Sequence, residues 1–446
     1  MSKLTASIES LRYWPTDVIN VTLRTTAFVL LSLLSQTAHS QLSFDVPPIN
    51  YSTTEPNDPV AKLKSEVANG DVVIDRDDTF GYLQALLKEL DIPLSSQTLV
   101  FSKTSLQRHI ISPSNPRAVF FNDHTYVAWV PHGEVIEISS TDPMLGTVFY
   151  SVEQYSPRQP VHIARRTERC LFCHASSDTG RVPGLMMQSI FTDADGNRVL
   201  PSDSIWPKSD GPLQTRFSGW FVTGKHGKQS HLGNLMIDSN DTITGDKDLG
   251  NGNIVDLSKW FDVANYPTPH SDIVALLVLQ HQVSMHNCLT DTNHRIRRLQ
   301  HQAAIDNREN DRDESFLDEE NRVVVDQIAE DLTDELLMVG GVTFSEPVSG
   351  TSDFASEFPQ RGPKDAAGRS LRDFDLTQGL FRYPCSYLVY SESFDALPDV
   401  VRQRIGFRLK NVLTNDDTRE KYNHLSAPTR TAILEILRHT KPNLVD

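Results

Sequence analysis

The sequence predicts an α+β fold: N-terminal helices and a small antiparallel sheet, a loop-rich middle, and a helical C-terminal half. Three patterns predict it. Apolar residues recur at helical spacing between Asp58 and Leu90. Short β-branched and aromatic runs alternate with turn residues between Leu99 and Tyr150. Helical periodicity returns from Ile273 onward. With 446 residues, 38% of them hydrophobic, the chain is long enough for two or three packed domains.

Asp58 to Asn69 reads as the first helix: Asp58 is a good N-cap, Pro59 suits the first helical position, and Gly70 stands where a stop belongs. Tyr82 to Leu90 reads as the second, with Leu83, Leu86, Leu87 and Leu90 on one face. Leu99-Val100-Phe101 begins the strands. Ala118 to Phe121 and Tyr126 to Val130 flank Asn122-Asp123-His124-Thr125, which fits a hairpin loop; Val135 to Ile138 and Val148 to Tyr150 continue the sheet. Arg165 to Arg169 is expected to be helical. Ser218 to Gly224 fits a strand between turns. Ile273 to about Ile305 reads as a long helix, Asp306 to Glu320 as a charged, solvated linker, and Val323 to Met338 as a further helix. Ser349 to Gly368 suggests a long surface loop, and the tail is helical over Asp399–Val412 and Ala427–Arg438.

Ahead of these elements, Arg24 precedes the apolar run Ala27 to Leu34, and Ala38-His39-Ser40 follows. This is the layout of an export signal over residues 1–40, cut after Ser40. The run is too short to span a bilayer comfortably; left uncut, it would serve as a short membrane anchor. No later stretch is long and apolar enough to cross, so no integral membrane span is expected in the mature chain. The formal charge is −16, and loss of the first forty residues makes the chain slightly more acidic. Such a chain is a poor match for nucleic acid or an anionic membrane surface.

Cys170-Leu171-Phe172-Cys173-His174 is the most informative stretch. Two cysteines two residues apart, followed at once by histidine, form the attachment signature of c-type haem. Each thiol adds across one haem vinyl group, and the adjacent imidazole becomes the proximal iron ligand. Cys170 and Cys173 are thus predicted to hold one covalent haem c and His174 its iron. The competing chemistry is a zinc site, which needs two more ligands; no second Cys-x-x-Cys exists. Of the four cysteines, Cys288 and Cys385 remain, and are expected to be unpaired thiols rather than a disulfide. Covalent haem implies assembly outside the cytoplasmic membrane, in accord with an exported, periplasmic protein.

Function turns on the sixth iron ligand. His231 is the first candidate and His226 the alternative, because flanking glycines let the backbone approach a flat ring. Met186 and Met187 come next, then His281, Met285 or His286 on the long helix; an open or water-bound iron is the remaining option. The Pro183 carbonyl is placed to accept the Nδ1 proton of His174. Arg165, Arg166, Arg169 and Arg181 could pair with haem propionates, and Trp220 could pack on the haem edge.

Further segments carry a likeness: Phe121-Asn122-Asp123, Val182-Pro183-Gly184, Gly219 to Gly224, His231-Leu232-Gly233-Asn234, His281-Gln282, His286-Asn287 and Pro384-Cys385-Ser386-Tyr387. With the haem motif, they resemble a group of bacterial exported proteins that carry a single cytochrome c domain in a chain of this size. The resemblance implies haem binding and electron transfer in general terms, and histidine rather than methionine as the sixth ligand. It implies no substrate and no partner. This sequence has Phe221 where those proteins have Tyr.

The expected organisation is therefore an export signal (1–40), an N-terminal α/β region (41–162), a c-type haem-binding region (163–265) and a mostly helical region (266–446) with its charged linker at 306–320. The expected function is a periplasmic single-haem electron carrier or redox subunit working between protein donors and acceptors, rather than a catalyst. The alternatives are a peroxidase-like haem enzyme and a haem-based sensor or binding module. A di-haem peroxidase design needs a second attachment motif, which is missing.

Overall fold

A computed structural model describes residues 43–154, 161–200, 208, 211–238, 241 and 252–445. The expected export signal lies outside these residues. The fold is α+β, as predicted. Helix α1 (Pro59–Asn69) is capped by Asp58, whose carboxylate accepts from the Val60 and Ala61 amides, and ends at Gly70 in the left-handed region. Helix α2 (Leu83–Glu89) buries Leu83, Leu86 and Leu87.

Seven antiparallel strands follow: β1 (Thr98–Val100), β2 (Arg117–Phe121), β3 (Thr125–Trp129), β4 (Val135–Asp142), β5 (Gly146–Glu153), β6 (Ile163–Arg165) and β7 (Trp220–Phe221). Their order in the sheet is β6-β5-β4-β3-β2-β1-β7. The sheet is larger than the sequence implied, and two of its strands come from beyond residue 162. Arg165 is one difference. It was expected to lead a helix, but it belongs to β6, pairing with Tyr150 of β5. The helix α3 (Glu168–His174) starts three residues later.

Alternate residues divide between two cores. Leu99, Phe120, Val127, Ile138 and Tyr150 pack towards α1 and α2. Val100, Val119, Phe121, Tyr126 and Trp220 face the helical half. That half is built on α4 (Ile273–Glu309), which runs past its expected end and shortens the linker. Asn307 stabilises the longer end by donating to the Phe316 carbonyl at 2.8 Å. Helices α5 (Glu319–Leu336), α6 (Asp399–Leu413) and α7 (Ala427–Thr440) complete it, with Val325, Leu332, Ile405 and Ile433 in one apolar core. No helix among the described residues is long and apolar enough to cross a membrane.

Candidate haem-attachment site

The Cys-x-x-Cys-His segment folds as α3, and spacing on a helix puts Cys170 and Cys173 on neighbouring positions of one face. Leu171 anchors the helix by packing into the N-terminal core, while Phe172 beside it is 88% exposed. Cys170 is half-buried and Cys173 exposed; both are free thiols, as are Cys288 and Cys385. Burial, and secondarily the Glu137 carboxylate, pushes the Cys170 thiol up to about 11.

His174 closes the helix and is held on two sides. Its ring packs on Phe149 of β5 with centroids 4.7 Å apart. Its Nδ1 lies 2.9 Å from the Gly184 carbonyl, and its own carbonyl accepts the Gly184 amide at 2.8 Å. The acceptor is one residue beyond the expected Pro183, whose carbonyl instead accepts the Thr147 amide at 3.0 Å. A carbonyl acceptor requires the proton on Nδ1, which leaves the Nε2 lone pair for a metal. Among the described residues, Nε2 has no protein partner. Burial lowers the pKa of His174 against the opposing effect of the Gly184 bond, so the ring is neutral at neutral pH.

The loop after α3 is pinned by residues that sequence reasoning did not single out for this role. Thr179 donates its hydroxyl to the Val182 carbonyl at 2.9 Å. Asn287 of α4 brackets Leu185, accepting its amide and donating to its carbonyl, both at 2.8 Å. The signal for Asn287 was its place in the His286-Asn287 pair; nothing in the sequence said what it would hold.

The sixth-ligand candidates fall elsewhere. Residues 231–234 lie along β7, where Asn234 donates its amide to the Trp220 carbonyl at 2.9 Å. Both His226 ring nitrogens face backbone carbonyls, Gln229 at 2.5 Å and Gly252 at 2.9 Å. His231 is buried against Phe217 and His226 and accepts the Gly233 amide on Nδ1 at 3.0 Å. Burial, then the neighbouring His226, lowers its pKa to about 3. Five strand spacings separate β5, under His174, from β7, roughly 24 Å. The structure does not bring His226 or His231 to His174.

Met187 packs in the core with Leu185 and Trp220. Met186 lines a cleft of about 1430 Å³ between the post-motif loop and the helical half. His281 is half-buried on α4 beside Ser386, 2.9 Å away, and Nε2 of His286 donates to the Asp123 carbonyl at 2.9 Å. Met285 is buried in the same core. Trp220 is a core residue whose indole donates to the Gln188 carbonyl at 2.8 Å.

The four arginines also separate. Arg165 bonds the carbonyls of Thr54 and Tyr51 at 2.8 and 2.7 Å and ties the N-terminal loop to β6. Arg166 donates to Ser151 at 2.8 Å. Arg169 and Arg181 are exposed. Among the described residues, no group of three or more His, Cys, Asp or Glu side chains is gathered to hold a metal ion. Among those residues no further ligands are gathered with the two motif thiols into a tetrahedral zinc site. A thiol pair on one short helix, with a neutral imidazole fixed through Nδ1, suits a covalent haem. No protein-family model, curated protein or solved structure matches the chain.

Proposed function

We propose that this chain is a c-type cytochrome with one covalent haem on Cys170 and Cys173 and with His174 as the iron's proximal ligand, moving electrons between redox partners in the periplasm. The reading rests on one observation. The histidine next to the thiol pair is held by Gly184 and Phe149 so that only Nε2 remains for a metal. The haem supplies the one-electron chemistry. The chain's part is to clamp the imidazole, bury one side of it, and fix the loop behind it through Thr179 and Asn287.

The test is His174→Ala in protein exported and matured with haem-attachment machinery. Poor loading, or loading with a high-spin spectrum, is the expected result. A normal low-spin spectrum in that variant would refute the assignment.

A second reading, a haem-based redox enzyme or gas sensor, draws support from the placement of His226 and His231 away from His174. Carbon monoxide separates the two. A low-spin iron that ignores it supports the carrier; rapid binding supports an open iron.

A further inference from the structure

The helical side of the sheet is not covered along its whole length. Near the Asn122–Thr125 hairpin, α4 lies on it: Gln282 donates to the Asn122 carbonyl at 2.6 Å and to the Tyr126 hydroxyl at 2.7 Å. Further along the same face, Arg117, Ala128 and Glu137 stay half-buried. The register sets Val119 opposite Ala128, Ala128 opposite Glu137 and Glu137 opposite Ser151. Because Ala128 is small, Arg117 reaches across β3 to Glu137, with 3.3 Å between Nη1 and Oε2 and side chains 18% and 20% exposed.

The guanidinium is left incomplete. The Arg117 Nε is buried and has no hydrogen-bond partner. A buried donor without an acceptor is costly, and native structures rarely keep one without a reason. Its position suggests the reason. Phe149 pairs with Ser139, so Glu137 is its diagonal neighbour on the same face, roughly 7–8 Å away. Phe149 carries the His174 ring. The Arg117–Glu137 pair thus stands on the sheet beside the residue that carries the His174 ring.

On the reading that the motif carries a haem, we propose that Arg117, oriented by Glu137, binds an oxyanion at the haem through its unpartnered Nε–H. A haem propionate of the same protein and a small free carboxylate present the same acceptor chemistry. Arg117 is a binding and positioning residue; it takes no part in electron transfer itself.

The experiment uses exported protein whose haem loading is verified by intact mass. The reduction potential is measured for the wild type, Arg117→Ala, Arg117→Lys and Glu137→Gln, each with and without sodium formate. Removing the cation favours the ferric form: Arg117→Ala lowers the potential by about 60 mV, a tenfold shift of a one-electron equilibrium. Arg117→Lys recovers part of it, and Glu137→Gln moves it upward. These opposite signs are the diagnostic, because simple loosening of the site shifts both variants the same way. In a wild type indifferent to formate, a propionate ionisation in the pH dependence of the potential that Arg117→Ala moves to higher pH identifies the oxyanion as the haem's own propionate, and indifference to formate with no such ionisation overturns the proposal. A formate-induced shift that Arg117→Ala abolishes identifies a free carboxylate. Should Arg117→Ala fail to fold, the lysine and glutamine variants carry the test. Loaded variants that keep the wild-type potential, or that shift in one common direction, overturn the proposal and leave the pair as a structural ion pair. A wild type without haem mass overturns the parent reading instead, and is recognised before any potential is measured.

Discussion

Gly184 shows how much of this site rests on single backbone atoms. Its amide and carbonyl both bond His174, and a Cβ placed on it would meet the Asn287 Oδ1 at 2.5 Å and the Thr179 Cβ at 2.9 Å. Gly184→Ala is predicted to push the loop off its two anchors and cost about 1–3 kcal/mol. It should also change the spectrum of the loaded protein while leaving covalent attachment intact; an unchanged spectrum and midpoint would show that the clamp is not needed. At this scale the sequence was legible where chemistry demands contiguous residues. On the proposed reading, Cys170, Cys173 and His174 stand together because two vinyl groups and an iron would have to be met within one turn; what the structure adds is that they share one short helix. The carbonyl acceptor was placed one residue early because its direction is set by β5 and α4, which are remote in sequence. His226 and His231 drew attention through their glycines, but those glycines admit protein rather than a cofactor. A Cβ on Gly224 would meet Ile273, one on Gly227 would meet Glu346, and one on Gly233 would meet Val222.

Among the elements, α4 has the most demanding start. Asp272 is fully buried. One of its oxygens accepts from the Val274 amide at 2.7 Å and the Ala275 amide at 3.3 Å; the other takes the Thr351 and Ser352 amides and the Ser352 hydroxyl, each at 2.8 Å. This one carboxylate caps the helix and binds the 349–352 loop to it. Asp272→Ala leaves several buried donors without acceptors and is predicted to cost at least about 3 kcal/mol, read as a lower denaturation midpoint. A loss no larger than an exposed cap gives, about 1 kcal/mol, would contradict this. Elements with local signals were readable in advance: α1 from Asp58, Pro59 and Gly70, and α4 from its apolar start. Strand β7 was only partly readable. Two residues long, it exists because Val100 and Leu99 pair with Trp220 and Phe221 across more than a hundred residues. Strand β6 was misread for the same reason: its three residues are strand only because β5 is beside them.

Across the whole molecule, the sheet is shared between two cores, and segments drawn from both sides of the haem motif build one face. The division at residue 162 was a reasonable reading of composition, but composition carries no information about which distant strands pair. The helical side also collects buried and half-buried histidines. Burial lowers His231 and His286 to about 3, His281 to about 4 and His294 to about 3. A histidine kept neutral in the fold but free to protonate when unfolded contributes stability that is whole above its unfolded pKa, near 6.5, and is lost as pH falls towards the folded value. Stability should therefore fall steadily from pH 7 to pH 4, by on the order of 1 kcal/mol per unit for each such group. His286→Gln should flatten the slope, and a denaturation midpoint level between pH 7 and pH 4 would contradict the assignment of neutral buried rings.

The central claim is that sulfur bonds fix a porphyrin to α3. Intact mass of exported protein, set beside the Cys170→Ser, Cys173→Ser double variant, tests it most directly. The wild type should weigh more by one haem and the double variant should not. A wild-type mass equal to that of the bare polypeptide, from cells that load another c-type cytochrome, would contradict the account.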